Sequence, residues 1–367
     1  MKIKLLDKYI FKQVITATIL GILLFIVVWI SPEILLDIIR DTVYGEISPK
    51  VAVQLLIMEI PEILGKAIPV GLLLGCLYVF DKLSKNFELI IMRSTGISFK
   101  RMVIPVLIIS IVGCVLCYKT YDTIIPYSTN KIKQLKNSKP NTEFVYIQKD
   151  ANQKPKQAVI VTNFDGQSIN NVKVLQFAEV NDNEAPLVKN ILIADKAVYN
   201  GQKWTLEEGI DYKIAPDGVY EKISKFNSKQ ILDGKQAQNA YKLMAYSVKK
   251  PREIDSKDLA SYISLLKSED LIDEYNYMLN KLYQRDSQAF SCILLAICGV
   301  ILGFSRPREK RFLGYTVATG LVFVFYIIVP FLDLLAQKSV LPPILTAWIP
   351  CLLVVGVIFA LLKYKEI

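Results

Sequence analysis

The sequence predicts an α-helical membrane domain of six transmembrane helices, split three and three, with an inserted all-β, jelly-roll-like domain between the halves. Three observations carry that prediction. Hydrophobic residues make up 52% of the 367-residue chain and mean hydropathy is +0.34, more apolar surface than a water-soluble protein hides. The apolar residues gather in two terminal blocks. Between these lies a polar block with strand-like alternation.

The first span covers about 14–32, charge-free and long enough to cross a ~30 Å hydrocarbon core. Lys2, Lys4, Lys8 and Lys12 precede it, but no small-residue cleavage site follows, so it reads as a retained helix and not a signal peptide. Apolar character continues to Ile39, predicting a helix that projects beyond the bilayer. The second span lies within 63–80, with Glu62 and Lys66 at pairing distance on one helix face and Pro61 and Pro69 expected to bend it. The third covers 102–118 and the fourth 287–304, with Arg285 and Asp286 at its polar edge. Spans at 312–331 and 341–362 complete the set.

Lys and Arg beside short loops set orientation, because they stay cytoplasmic. One side carries Lys2, Lys4, Lys8 and Lys12, then Lys82, Lys85, Arg93, Lys100 and Arg101, then Arg306, Arg308, Lys310 and Arg311, then Lys363 and Lys365. The opposite short loops hold only Arg40, Lys50 and Lys338. Both termini are therefore expected in the cytoplasm and the central block outside. The same placement accounts for the formal charge of +10 without nucleic acid, since the cations flank spans and form no single patch.

The outward block, 122–254, alternates as strands do at 144–147, 159–161, 172–175 and 191–193. Asp165-Gly166, Asn200-Gly201 and Asp217-Gly218 are hairpin-grade turns, and 204–206 reads as a return strand. Seven or more short strands suggest a sandwich or jelly roll. A helical connector, 255–286, follows: Asp255 or Ser256 caps a helix to about Lys267, and a second stretch from about Ile272 runs into the fourth span. This assigns 1–121 to helices one to three and 287–367 to helices four to six.

The cytoplasmic loop between spans two and three, about 82–97, contains Glu88-Leu-Ile-Ile-Met-Arg-Ser-Thr-Gly96. Ser84 can cap a short helix, Glu88 falls in its first turns where the helix dipole favours a carboxylate, and Gly96 suits the exit. Docking a partner and lying solvated at the membrane surface fit that pattern equally well.

Several function classes drop out. The chain has no histidine, which removes Ser-His-Asp and Cys-His catalysis and His-ligated zinc. Its six cysteines all fall in apolar segments, where a thiol acts as a small hydrophobe. No Gly-rich phosphate loop occurs, so no ATP site, cofactor or metal is expected in this chain. Energy for any transport would come from a partner or a gradient.

Several segments carry a resemblance: Leu6-Asp-Lys-Tyr-Ile10, Ile68-Pro-Val-Gly-Leu-Leu-Leu-Gly75 running into Lys82-Leu-Ser, 88–98, and Leu341-Pro-Pro-Ile-Leu-Thr-Ala-Trp-Ile-Pro350. On these, and on the order of spans and β domain, the chain resembles the lipopolysaccharide export permeases of the LptF/LptG family. The resemblance implies a non-catalytic membrane subunit of an ABC transporter in the inner membrane, serving outer-membrane biogenesis. Its implied partners are a cytoplasmic dimeric ABC ATPase that binds the ATP, a second permease subunit of the same family in a homo- or heterodimer, and a membrane-anchored periplasmic jelly-roll protein. Lipopolysaccharide would be extracted from the outer leaflet and passed to a periplasmic bridge.

By the same resemblance Glu88, Arg93 and Gly96 fall at the ATPase-coupling element, with Glu88 at its acidic position. The first and fifth spans would form a lateral gate, for which Trp29, Ile34, Asp37, Arg40, Gly314 and Ala318 are the cavity or gate candidates. Small residues on the fifth span read equally as ordinary packing. Where the family often places several cations, Arg40 stands among Glu33, Asp37 and Asp41. The second subunit supplies the missing charge, or Lys50 and Lys66 do, or the substrate carries less phosphate. An ABC subunit for lipoprotein release or efflux would have four spans, and a scaffold for a β domain would need one.

Overall fold

The computed structural model describes the chain outside residues 1–4, 31, 46, 137–142, 150–153, 165–167, 179–186, 216–218, 305–311 and 366–367, and describes only backbone at 32–34 and 312–313. It forms two compact units, one made of 1–136 with 251–367 and the other of 137–250.

In chain order the first unit begins with α1 (Leu5–Trp29), α2 (Pro32–Val43), α3 (Pro49–Lys85), α4 (Glu88–Ser94) and α5 (Phe99–Lys119). A π-helical turn, Thr120–Ile124, carries α5 directly into α6 (Ile125–Leu135). The second unit contains β1 (Phe144–Lys149), β2 (Pro155–Phe164), β3 (Ile169–Phe177), β4 (Val188–Tyr199), β5 (Lys203–Ile214), β6 (Tyr220–Asp233) and α7 (Gly234–Ser247). The chain returns through a single 3-10 turn, Pro251–Glu253, to α8 (Ser256–Ser268), α9 (Ile272–Gly303), α10 (Phe312–Gln337) and α11 (Pro343–Lys365).

Six helices among the described residues are long and apolar enough to cross a membrane: α1, α3, the continuous α5–α6 helix, α9, α10 and α11. The predicted helical membrane domain with an inserted β domain is therefore observed, the inserted unit also carrying α7. One expectation fails at the first span. The helix does not run on past the bilayer; α1 ends at Trp29 and Pro32 opens the separate amphipathic α2. A proline lacks the N–H that would continue the ladder and disfavours helix at the residue before it, while suiting the first turn of a new helix.

The centre of the unit is α3 and α9, whose Leu72, Leu73, Cys76 and Phe80 and Cys292, Ala296, Cys298 and Val300 are buried. Lipid tails are as apolar as these side chains, so helix association depends on close backbone approach. Two glycines provide it. A Cβ on Gly75 would lie 2.6 Å from Thr18 Oγ1 on α1, and one on Gly299 would lie 2.4 Å from the Leu73 carbonyl on α3.

In the second unit β1 to β6 form one antiparallel meander in sequence order. Six strands of 6 to 14 residues are described where seven or more short ones were expected. Val159, Val161, Val172, Val174, Leu192 and Leu206 bury one face. The sheet curls, because Gln157 Nε2 on β2 donates to the Ile231 carbonyl on β6 at 2.7 Å. The missed helix α7 packs on this unit: Trp204 Nε1 donates to the Ala237 carbonyl at 3.0 Å, and Tyr241 stacks on Tyr199 with centroids 4.4 Å apart. Asn200-Gly201 is a tight turn, with the Asn200 N–H donating to Lys203 O at 3.1 Å and Gly201 at φ +80°. The Asp165-Gly166 and Asp217-Gly218 turns lie outside the described residues.

The cap at Asp255 is as expected, its carboxylate accepting from the Asp258 N–H at 2.8 Å.

Candidate functional site

The loop after α3 starts from a helix end that the sequence placed too early. Ser84 does not cap a new helix; α3 continues to Lys85, and the Ser84 hydroxyl donates to the Gly303 carbonyl at the end of α9, 3.3 Å away. Phe87, at φ 60°, turns the chain and precedes α4. Within α4, Leu89 is 2% exposed and anchors the element in the cluster of Ile10, Phe80, Leu83 and Met102. Phe87, Ile90 and Ile91 point the other way and are exposed.

Glu88 is half-buried on the first turn. Its Oε2 accepts from the Tyr9 hydroxyl of α1 at 2.9 Å and its Oε1 from Asn86 Nδ2 at 3.1 Å. Beside it Arg101 of α5 pairs with Asp7 of α1 at 2.5 Å. The Arg93 guanidinium lies 5.6 Å over the ring of Phe304, which meets Phe99 edge-on at 5.4 Å. Gly96 takes φ +84°, ending the element as a C-terminal glycine does. The Lys365 ammonium of α11 donates to the carbonyls of Ile301 at 2.9 Å and Leu302 at 3.2 Å, and also to that of Phe304. Glu88, Arg93 and Gly96 thus sit on one element tied to the ends of α1, α3, α5 and α9.

A second feature is a cavity of about 440 Å³ lined from α1, α3, α9 and α10 by Trp29, Lys66, Lys281, Gln284, Arg285, Gln288, Tyr326 and Asp333, and also by Tyr121 of the π-helical turn and Arg252 of the 3-10 turn. Trp29 stacks on Phe25 at 5.0 Å and lies 6.0 Å from Tyr326, while the Lys66 ammonium sits 5.6 Å over its ring. Asp333 accepts from Lys281 at 2.5 Å, Gln284 at 2.7 Å and Asn280 at 2.8 Å. Arg285 donates to Ser256 Oγ and the Pro251 carbonyl, each at 2.9 Å, and to the Ile254 carbonyl at 2.7 Å. Arg252 pairs with Glu62 at 2.6 Å, so the expected Glu62–Lys66 pair does not form. Lys66 has no carboxylate within ion-pair distance among the described residues; it uses the Trp29 face instead.

The family model described as lipopolysaccharide export system permease LptF/LptG matches residues 8–364, nearly the whole chain and both of its units. The chain belongs to the LptF/LptG family. No curated protein matches it. LptF/LptG membership makes it a permease subunit of lipopolysaccharide export, working in an ABC transporter and not itself catalytic, and its helices make it a multi-pass membrane protein.

The LptF/LptG gate candidates do not converge. Of those named from the sequence, only Trp29 among the described residues lines the cavity. Asp37 and Arg40 are exposed on α2, where the Arg40 guanidinium lies 5.7 Å over Tyr44. The Ile34 side chain lies outside the described residues. Ala318 is fully buried in the α3–α9–α11 core, and a Cβ on Gly314 would lie 3.2 Å from the Leu302 carbonyl. These two positions pack α10 onto α9, about 12–18 Å of helix away from Tyr326 at 1.5 Å per residue. Lys66 had been named as a substitute cation; Tyr326, Lys281 and Asp333 were missed. A signal for them existed: an ionisable residue inside an apolar helix is costly and tends to face a polar cavity.

Proposed function

We propose that this permease subunit lies in the inner membrane with both termini in the cytoplasm and docks a dimeric ABC ATPase through α4. It pairs with a second family subunit as a homo- or heterodimer, draws lipopolysaccharide from the outer leaflet past a gate edged by α1 and α10, and passes it by way of its β domain to a membrane-anchored jelly-roll protein. The observation that carries this reading is the build of α4. Its outward side presents Ile90 and Ile91, with Phe87 just before it, next to Glu88; inward, Glu88 accepts from Tyr9 of α1, Leu89 packs with Phe80 and Leu83 of α3 and Met102 of α5, and Arg93 lies over Phe304 just past α9. A partner that moves α4 therefore moves α1, α3, α5 and α9 with it.

Two further features support the reading. Lys66 over Trp29, in a cavity with apolar and polar walls, suits the phosphate and acyl parts of an amphiphile, and of the two substitute cations considered only Lys66 lines it. The outermost strands of the meander, β1 and β6, offer main-chain groups to another jelly roll.

Co-purification from native membranes in mild detergent tests the reading. The wild-type chain is expected to bring down an ATPase subunit, Glu88→Arg to lose it, and Tyr9→Phe to retain it. Absence of any ATPase with the wild type contradicts the proposal. Loss with Tyr9→Phe equal to that with Glu88→Arg makes Glu88 an internal prop and not a docking residue.

A further inference from the structure

A separate groove of about 790 Å³ opens between α5, α9 and α11, and no residue of α1 or α10 lines it. Its walls are apolar, built around Val115, Ala289, Phe290 and Trp348. Its rim carries charges of both signs: Lys119 at the end of α5, Asp122 three residues on in the turn that continues it, and Asp286 on α9. Lys119 and Asp286 each stand four residues from an apolar wall residue, Val115 and Phe290, one helical turn or about 6 Å along the axis. Tyr118 and Trp348 also line the groove, and such aromatics favour the headgroup level of a bilayer. The charged rim thus falls at headgroup depth and the apolar walls in the hydrocarbon.

The rim charges differ in what they already hold. Arg285 is turned away to Ser256, Pro251 and Ile254. Asp122 accepts from the Ser256 N–H at 3.0 Å and faces Arg285 at 3.9 Å. Lys119 and Asp286 are exposed, and neither forms an ion pair with a described residue. One open cation and one open carboxylate across an apolar groove complement a zwitterion. A polyphosphorylated lipid would meet two carboxylates and be repelled. A quaternary ammonium carries no N–H to donate, whereas a primary ammonium donates charge-assisted hydrogen bonds to a carboxylate.

We infer that the α5–α9–α11 groove binds a glycerophospholipid with a primary-amine headgroup, its phosphate at Lys119, its ammonium at Asp286 and an acyl chain along Val115, Phe290 and Trp348. A second apolar depression of about 450 Å³ lies at Leu352 and Gly356, further along α11. This lipid is a resident of the permease and not its cargo, so the inference stands independently of the ATPase-coupled mechanism.

Native mass spectrometry of the full-length chain, titrated with phosphatidylethanolamine, phosphatidylcholine and phosphatidylglycerol of identical acyl composition, tests it. Wild-type protein is expected to retain phosphatidylethanolamine about threefold or more over either other lipid, the scale of a partly exposed ion pair. Asp286→Asn should erase the preference over phosphatidylcholine, and Lys119→Gln should lower retention of all three. Both side chains are exposed, so unfolding midpoints should not move. A phosphatidylethanolamine with a photoreactive tail should label peptides bearing Val115 or Phe290, a readout that holds even if a variant fails to fold. Equal retention of the three lipids, labelling confined to α1 and α10, or displacement of the bound lipid by lipopolysaccharide overturns the inference.

Discussion

Trp204 and Lys66 each make a contact that their neighbours in sequence do not reveal. Trp204 is fully buried and its indole N–H satisfies the Ala237 carbonyl. Trp204→Phe keeps most of the apolar bulk but leaves that carbonyl without its donor. It is expected to destabilise the β unit by about 1–3 kcal/mol, read as faster protease cleavage within 137–250 of the intact protein. Lys66 is held over Trp29 at the cavity wall. Lys66→Gln should reduce the lipopolysaccharide that co-purifies by about twofold to fivefold, the range of a single screened charge, while ATPase retention stays unchanged. A parallel fall in both would place Lys66 in the fold and not in lipid binding. Glu88 itself was legible from its place near a helix start, but its partner Tyr9 lies 79 residues away and no local pattern announces that bond.

Among elements, the helix contacts most sensitive to substitution are the glycine crossings. Gly75→Ala would force a methyl against Thr18, and Gly299→Ala one against the Leu73 carbonyl. Each is expected to cost about 1–3 kcal/mol and to lower the unfolding midpoint in detergent, whereas Gly320→Ala and Gly356→Ala, with no atom near the added carbon, should leave it in place. Equal effects at all four positions would mean that helix propensity, and not close approach, sets the response. Hydropathy made the spans legible because a bilayer leaves little choice but long apolar helices. It did not reveal the break before α2, where Pro32 overrides continued apolar character. Nor did it reveal β6 and α7. In β6 the lysines of an edge strand mask the alternation. In α7 the buried Ala237, Ala240, Leu243 and Met244 keep helical spacing, a signal present but short.

At the scale of the whole molecule, the order of three spans, β domain and three spans was readable because each part follows a different solvent. The proposed gate was less readable. Small residues on α10 have one use in packing and another in motion, and the burial of Ala318 and the close approach at Gly314 show the packing. The polar cavity depends on side chains from four helices far apart in sequence, so it appears only once they are packed. The most direct test of lipopolysaccharide export is release from proteoliposomes carrying the complex purified on this chain, with ATP and a soluble jelly-roll acceptor. Transfer of lipopolysaccharide to the acceptor that requires ATP and falls to background with Glu88→Arg is the predicted result. ATP hydrolysis with no lipopolysaccharide moved, or transfer that proceeds equally without ATP, would contradict it.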